Sequence, residues 1–237
     1  MERSGKPDGR RGPLPPEWWC AARAVMPWWK RAMDVSVAVS GLALLAPVFV
    51  ALGIFIKAIS PGSPFFRQER VGHRGVKFFM WKFRTMHPDA DPARHQQLWT
   101  ALVPREDGCG EGVAGKAMAK LEQDPRVIPF GDFLRRSGLD ELPQLFNVLL
   151  GQMSLVGPRP PVPYETAWYQ DGHWGRFNAV PGITGLWQVS GKNRLSFMEM
   201  VRLDIYYGQH VSPWLDLKII LKTPLAIRRE FQRPGPI

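Results

Sequence analysis

The chain has 237 residues, 31 Lys and Arg against 21 Asp and Glu, and a formal charge of +10. That length allows one packed domain with attachments, and the charge calls for an anionic partner: nucleic acid, phospholipid headgroups or a phosphorylated substrate. Two distant cysteines, Cys20 and Cys109, with no CxxC pair argue against a disulfide framework and a zinc finger and for a reducing, cytosolic setting. His73, His87, His95, His173 and His210 show no ligand spacing, and no metal is assigned to them.

In chain order, residues 1–17 are rich in Gly, Pro and charge and are predicted to be a disordered basic N-terminus. Trp18, Trp19, Trp28 and Trp29 follow among Arg and Lys, the composition of a membrane–water interface. From Val35 to Ile56 run 22 residues without a charge, long enough to cross a bilayer as a helix. The segment lies too far from the N-terminus, and lacks the cleavage site, for a secretory signal. Its flanks are both basic (Arg23, Lys30 and Arg31 before it, Lys57, Arg67, Arg70 and Arg74 after it), so the positive-inside bias picks no orientation and is compatible with both ends being cytoplasmic. Pro47 near the centre kinks or breaks a helix. A helix that enters, bends at Ala46-Pro47 and returns to the same face explains both features. A straight span with a kink, or a buried helix of a soluble protein, are the alternatives.

Residues 65–86 alternate apolar and basic side chains around Gly72 and Gly75, which predicts two short strands joined by a turn. Residues 88–124 read as a polar, glycine-containing loop flanking a short helix, 130–150 as helices, 151–163 as a turn-rich loop and 196–208 as a helix. From Leu215 to Phe231, apolar Leu215, Ile219 and Ile220 alternate with Lys218, Lys222, Arg228 and Arg229, a basic amphipathic stretch suited to a membrane surface or to ordinary surface packing.

The chemistry concentrates at 139–149. Leu142, Leu145, Phe146 and Leu149 recur at helical spacing, and Pro143 restricts the helix start to about Asp140. This predicts an adjacent Asp140-Glu141 pair at the positive end of a helix, where phosphate is also favoured. Arg135 and Arg136 precede the pair, and Gly157-Pro158-Arg159-Pro160 follows. Carboxylates there can hold Mg²⁺ or attack phosphorus while guanidiniums neutralise phosphate oxygens. Taken singly, Asp140 reads as an N-cap, Glu141 as a first-turn dipole partner and Arg135 as a solvated surface charge.

Eight segments in order resemble the monotopic phosphoglycosyl transferases, bacterial sugar transferases that start glycan assembly on undecaprenyl phosphate. They are Lys30-Arg31 to Asp34, Pro64 to Gly72, Lys82 to Met86, Asp124 to Val127, Leu139 to Gln144, Ser154 to Pro160, Pro181 to Gly191, and Leu215 to Lys218. The resemblance implies an α/β (α+β) monotopic membrane enzyme. A re-entrant helix broken at Ala46-Pro47 would lie within an interfacial segment over 18–59. A mostly helical catalytic domain with a small β-hairpin and amphipathic interfacial helices would occupy 60–237, on the cytoplasmic face of the bacterial inner membrane. It further implies that Asp140 attacks the β-phosphorus of a UDP-sugar and also binds Mg²⁺, that Glu141 completes the dyad, and that Arg135, Arg159 and Lys82 contact substrate phosphate. UMP leaves, and undecaprenyl phosphate takes the sugar-1-phosphate from the aspartyl intermediate, the initiating step of an exopolysaccharide, capsule or O-antigen-type glycan. Membrane phospholipids are implied as partners, a homodimer is allowed for, and nucleic acid is not expected. Leu186 to Asn193 resembles glucose- or galactose-1-phosphate transferases more than those for N-acetylated sugars. Two positions depart from the family: Gly138 where Ser is frequent, expected to loosen the turn before Asp140, and Ala46 where Ser often precedes the helix-breaking proline. Against this stand two other classes, a basic Trp-rich binding module and an inactive membrane scaffold. No nucleic-acid motif is present and the Asp140-Glu141 pair would serve no purpose in a binding module, while the intact Asp140-Glu141 and Pro158-Arg159-Pro160 motifs argue against an inactive scaffold.

Overall fold

A computed structural model describes residues 26–88, 90, 126–192 and 195–232. The predictions for 1–17, for Cys20, Trp18 and Trp19, and for most of 88–124 fall outside the described residues.

Helix α1 runs from Trp28 to Ile59, about 48 Å at 1.5 Å per residue, against a hydrocarbon core of about 30 Å. The helix continues through Ala46 and Pro47, where the sequence predicted a break. A proline removes one backbone bond, and here both halves of the helix are held by the domain beside them. One stripe faces that domain: Lys30, Asp34, Ala38 and Ile56 are buried, and Leu42, Phe49, Leu52 and Ile59 pack on the same cores, at the 3–4-residue spacing of one helical face. Outward lie Val37, Val39, Leu44, Val50 and Ile54, all exposed. Almost none of the apolar window is buried inside the protein, unlike a mostly buried core helix of a soluble fold. The helix is long and apolar enough for a membrane anchor.

Charged and polar bonds fix the start of α1. Lys30 pairs with Asp216 and donates to Tyr207 OH. Arg31 donates to the carbonyls of Val148 and Leu149 at 2.6 and 2.7 Å. Asp34 accepts from Ser154 Oγ and Leu155 N, both at 3.0 Å. At the other end Ile56 is enclosed by Phe83, Ile128 and Leu134, and Arg84 donates to Ser60 O at 2.8 Å.

Strands β1 (Phe65–Val71) and β2 (Lys77–Phe83) form the expected antiparallel hairpin, with Phe65 opposite Phe83 and Val71 opposite Lys77. Helix α2 spans Gly131–Ser137, a 3-10 turn follows at Leu139–Glu141, and α3 spans Gln144–Leu149. The region read as a loop over 151–163 contains a strand, β3 (Ser154–Val156), paired in parallel with β4 (Gly182–Thr184). Three fully buried residues show no alternation, which is why no pattern marked it. Gly157 and Gly182 let these backbones meet, since a Cβ on either would collide with the other's main chain. Helices α4 (Leu186–Ser190), α5 (Phe197–Gln209) and α6 (Pro213–Phe231) complete the chain. Ser196 and Ser212 cap α5 and α6 by accepting from Glu199 N and Leu215 N.

The apolar row read in helix α6 packs inward, Ile219 buried with Leu215 and Ile220 on the same core, and a second apolar row is exposed. Ile219 and Asp216 face inward, while Trp214, Leu217, Leu221 and Leu225 are exposed at intervals of three and four residues, with Lys218 over the Trp214 ring. Phe130, Phe133, Phe146, Leu150 and Phe231 are exposed as well. The rings of Phe55, Phe130, Phe133 and Phe231 touch in series, joining the end of α1 to α2 and α6. Exposed apolar surface of this extent is common where proteins meet lipid or another protein.

Candidate active site

The tight link between α2 and α3 presents the acidic pair. Gly138 has φ +73°, a left-handed conformation that glycine adopts without the Cβ penalty. Its carbonyl accepts from Glu141 N at 3.0 Å. The departure from Ser is therefore suited to this turn rather than loosening it. Asp140 is buried in the 3-10 turn, and α3 starts only at Gln144, after Pro143. The sequence placed the helix start at Asp140. The structure places the pair one turn earlier, because Pro143 supplies no N–H and the chain tightens into 3-10 bonds ahead of it.

Lys82 arrives from β2. Phe78, Met80 and Lys82 share one face of the strand by its two-residue period; the first two plug the core, and the third reaches Glu141, Nζ to Oε1 at 2.8 Å. Asn147 fixes the register of this approach. Fully buried on α3, it accepts from Trp81 N at 3.0 Å and donates to Phe79 O at 2.8 Å and Gln152 Oε1 at 2.7 Å, so its amide stands in for a neighbouring strand along β2. Reading the sequence assigned Asn147 no role. The available signal was an amide inside an otherwise apolar helical pattern.

Beyond β2 the chain 84–87 meets 126–128: Met86 pairs with Val127, and Ile128 N donates to Thr85 O. This brings α2 alongside, and Arg135 Nε donates to Thr85 Oγ1 at 2.9 Å. Arg159 enters from the loop after β3, half-buried, and its charge acts on Glu141. So does that of Lys192, which follows α4 with φ +50° and was not among the predicted site residues. Burial opposes ionisation of Glu141, but the Lys82 charge and hydrogen bond, with Arg159 and Lys192, outweigh it and hold the carboxyl below the ordinary glutamate range. The structure thus brings Lys82, and the charge of Arg159, to Glu141 beside Asp140 in the chain, and ties Arg135 to Thr85. Ala46 and Pro47 lie apart, within α1.

Replacing Lys82 by Met removes the strongest influence that lowers the Glu141 pKa while burial remains. Glu141 should then take up its proton at higher pH, so the acid limb of kcat/KM should move to higher pH along with a loss of rate. A pH–rate profile with an unmoved acid limb would exclude an essential ionised Glu141.

No group of three His, Cys, Asp or Glu side chains converges among the described residues. Mg²⁺ is commonly held by one or two carboxylates, with waters and substrate phosphates completing its shell, and Asp140, with Glu141 tied to Lys82, fits that pattern. The site sets an acidic pair beside Lys82, with the charges of Arg159 and Lys192 felt at Glu141, a balance of charge compatible with anionic phosphoryl groups.

Similarity to known proteins is extensive. The family model described as bacterial sugar transferase matches residues 25–230. The exopolysaccharide production protein ExoY of Rhizobium meliloti is 39% identical over 212 residues, covering 90% of this chain and 91% of the relative. A UDP-glucose:undecaprenyl-phosphate glucose-1-phosphate transferase of Caulobacter vibrioides is 39% identical over 220 residues, 90% of this chain and 72% of its own. An undecaprenyl-phosphate galactose phosphotransferase of Salmonella typhimurium is 36% identical over 201 residues, 84% of this chain but only 40% of the relative's length. With a family match over residues 25–230 and a relative 39% identical over 90% of its length, the chain belongs to the bacterial sugar transferases.

Proposed function

We propose that the protein transfers a hexose-1-phosphate, glucose or galactose, from a UDP-sugar to undecaprenyl phosphate and so initiates an exopolysaccharide-type glycan. The observation that carries this is the Asp140-Glu141 turn, with Lys82 bonded to Glu141 and Arg159 and Lys192 acting on it. The names of relatives supply the substrate class: two of them act on undecaprenyl phosphate, one with glucose-1-phosphate and one with galactose.

In this reading an Asp140 carboxylate oxygen attacks the β-phosphorus. The bond from that phosphorus to the bridging oxygen breaks, UMP leaves with the electron pair, and a glycosyl-phosphoryl aspartate remains. A phosphate oxygen of the lipid then attacks the same phosphorus and Asp140 departs, giving the polyprenyl-diphospho-sugar. Arg159 and Arg135 neutralise the phosphoryl oxygens, and Lys82 keeps Glu141 ionised and oriented. Mg²⁺, held by Asp140, would screen charge on the diphosphate.

The test is UMP release from UDP-glucose or UDP-galactose alone. About one UMP per enzyme is expected before any lipid is added, with a hydroxylamine-labile hexose-phosphate adduct on residue 140. UMP that appears only when undecaprenyl phosphate is present would mean direct displacement, and UMP that never appears would mean a binding protein.

The same reading puts both ends of α1 on one, cytoplasmic, side of the inner membrane. Lys30 is tied to Asp216 and Ser60 to Arg84, so a single packed domain holds both ends. A bilayer between them would have to pass through that domain. The exposed faces of α1 and α6 and the Phe130–Phe133 patch suit contact with phospholipid. Single cysteines at positions 28 and 90 should be labelled from the same side of sealed vesicles; labelling from opposite sides would reject the monotopic arrangement.

A further inference from the structure

The loop Gly157-Pro158-Arg159-Pro160-Pro161 carries three prolines, so its carbonyls outnumber its N–H groups. Every carbonyl from 158 to 161 nonetheless accepts a hydrogen bond. Gly182 N donates to Pro158 O and Val71 N to Pro161 O, each at 2.9 Å. The two in the middle are served by buried guanidiniums from elsewhere in the chain: Arg176 Nη2 donates to Arg159 O at 3.1 Å, and Arg70 Nη1 to Pro160 O at 2.9 Å. Burying two cations to hold a loop is costly unless each is paired. Arg176 is paired: it also donates to Tyr169 OH and Asp204, and Asp204 on α5 is itself buried. Arg70 also donates to Gln68 Oε1 at 2.6 Å. The positive charge of Arg159 lies near enough to both clusters to be felt at Arg70 and at Asp204.

We propose that Arg176 and Arg70 are positioning residues that hold the backbone of the Arg159 loop from beneath, so that the Arg159 guanidinium is aimed at the diphosphate of the nucleotide-sugar beside Asp140 and Glu141. This rests on the reading of Arg159 as a phosphate ligand. Lysine cannot replace either one: a single ammonium can keep the charge beside Asp204 or Gln68 but lacks the planar fork that also reaches the loop carbonyl. Because each acts through Arg159, its loss should matter only when Arg159 is present.

The experiment is a double-mutant cycle on the full chain in detergent, read by the dissociation constant of UDP from calorimetry and by kcat/KM for UMP release. Arg159→Ala should weaken UDP roughly tenfold, the effect of losing one charge-assisted contact. Arg176→Lys and Arg70→Lys should each weaken UDP by a similar factor, with the loss in KM rather than kcat, and should add less than about twofold in the Arg159→Ala background. Equal, multiplying losses in both backgrounds would mean a merely structural role and overturn the proposal, as would UDP affinity unchanged by the lysine variants. Should Arg176→Lys fail to fold, Arg70→Lys at the end of β1 decides alone. An Arg159→Ala protein that binds UDP like the parent would remove the phosphate role of Arg159 itself, a separate failure that takes this proposal with it.

Discussion

Replacing Asp140 by Asn is expected to abolish turnover, by at least about 10⁴-fold, because an amide cannot form the phosphoryl bond that the proposed mechanism requires. The burst of UMP from UDP-sugar alone should vanish with it. Folding should be retained, since the turn is held by Gly138 O accepting from Glu141 N and by Leu139 O accepting from Leu142 N, bonds that do not use the Asp140 side chain. Melting temperature and extraction from membranes should match those of the parent. The comparison with Glu141→Gln separates the two carboxylates. Losing the Glu141 charge removes the partner of Lys82 and should slow the reaction without eliminating the covalent adduct. Near-normal UMP release by Asp140→Asn would end the nucleophile assignment; loss of steady-state turnover with an intact burst would move Asp140 to the second half-reaction.

The second large effect is on stability. Lys30 and Asp216 form a buried ion pair, both side chains nearly inaccessible to water. Tyr207 OH lies 2.6 Å from Asp216 Oδ1, to which it donates, with Val156 O also in reach at 3.0 Å. Burial and the Asp216 charge push the Tyr207 phenol far above its ordinary range, so it remains a neutral donor. Lys30→Met leaves Asp216 buried without its cation, a loss expected to cost about 3–5 kcal/mol, on the order of 10 °C in melting temperature for a chain of this size. Replacing both partners with apolar residues should recover much of that loss, because no unpaired charge remains. A Lys30→Met protein that melts within a degree or two of the parent would show that the pair does not anchor α1. The pair ties the start of α1 to α6 across 186 positions of sequence, so its rupture should also loosen the hold of the domain on the membrane helix.

Much of this protein was legible in one dimension. A run of 22 uncharged residues identifies a membrane-length helix whatever surrounds it, because length and apolarity alone set its affinity for hydrocarbon. The hairpin over 65–86 followed from alternation about a glycine turn, and α6 from its apolar and basic periodicity. Asp140, Glu141, Arg135 and Arg159 stood out as charges of both signs about a short helix, whereas Lys82 came only from the resemblance to the family. What the sequence could not contain is the contacts between residues far apart in it. The path of α1 along the domain depends on Lys30 meeting Asp216, Asp34 meeting Ser154 and Phe49 meeting Phe83, and none of these pairs is close in sequence. Pro47 left a bend and a kinked straight span both open, and the resemblance favoured the break; in the structure α1 stays helical through Pro47. Gly138 looked like a weakness, but with φ at +73° glycine takes the turn without the strain a side chain would bring. Asn147, Arg70 and Arg176 hold the site by donating to or accepting from main-chain groups, and a backbone carbonyl carries no sequence signature. Only tertiary structure decides which carbonyls are left for a side chain to satisfy.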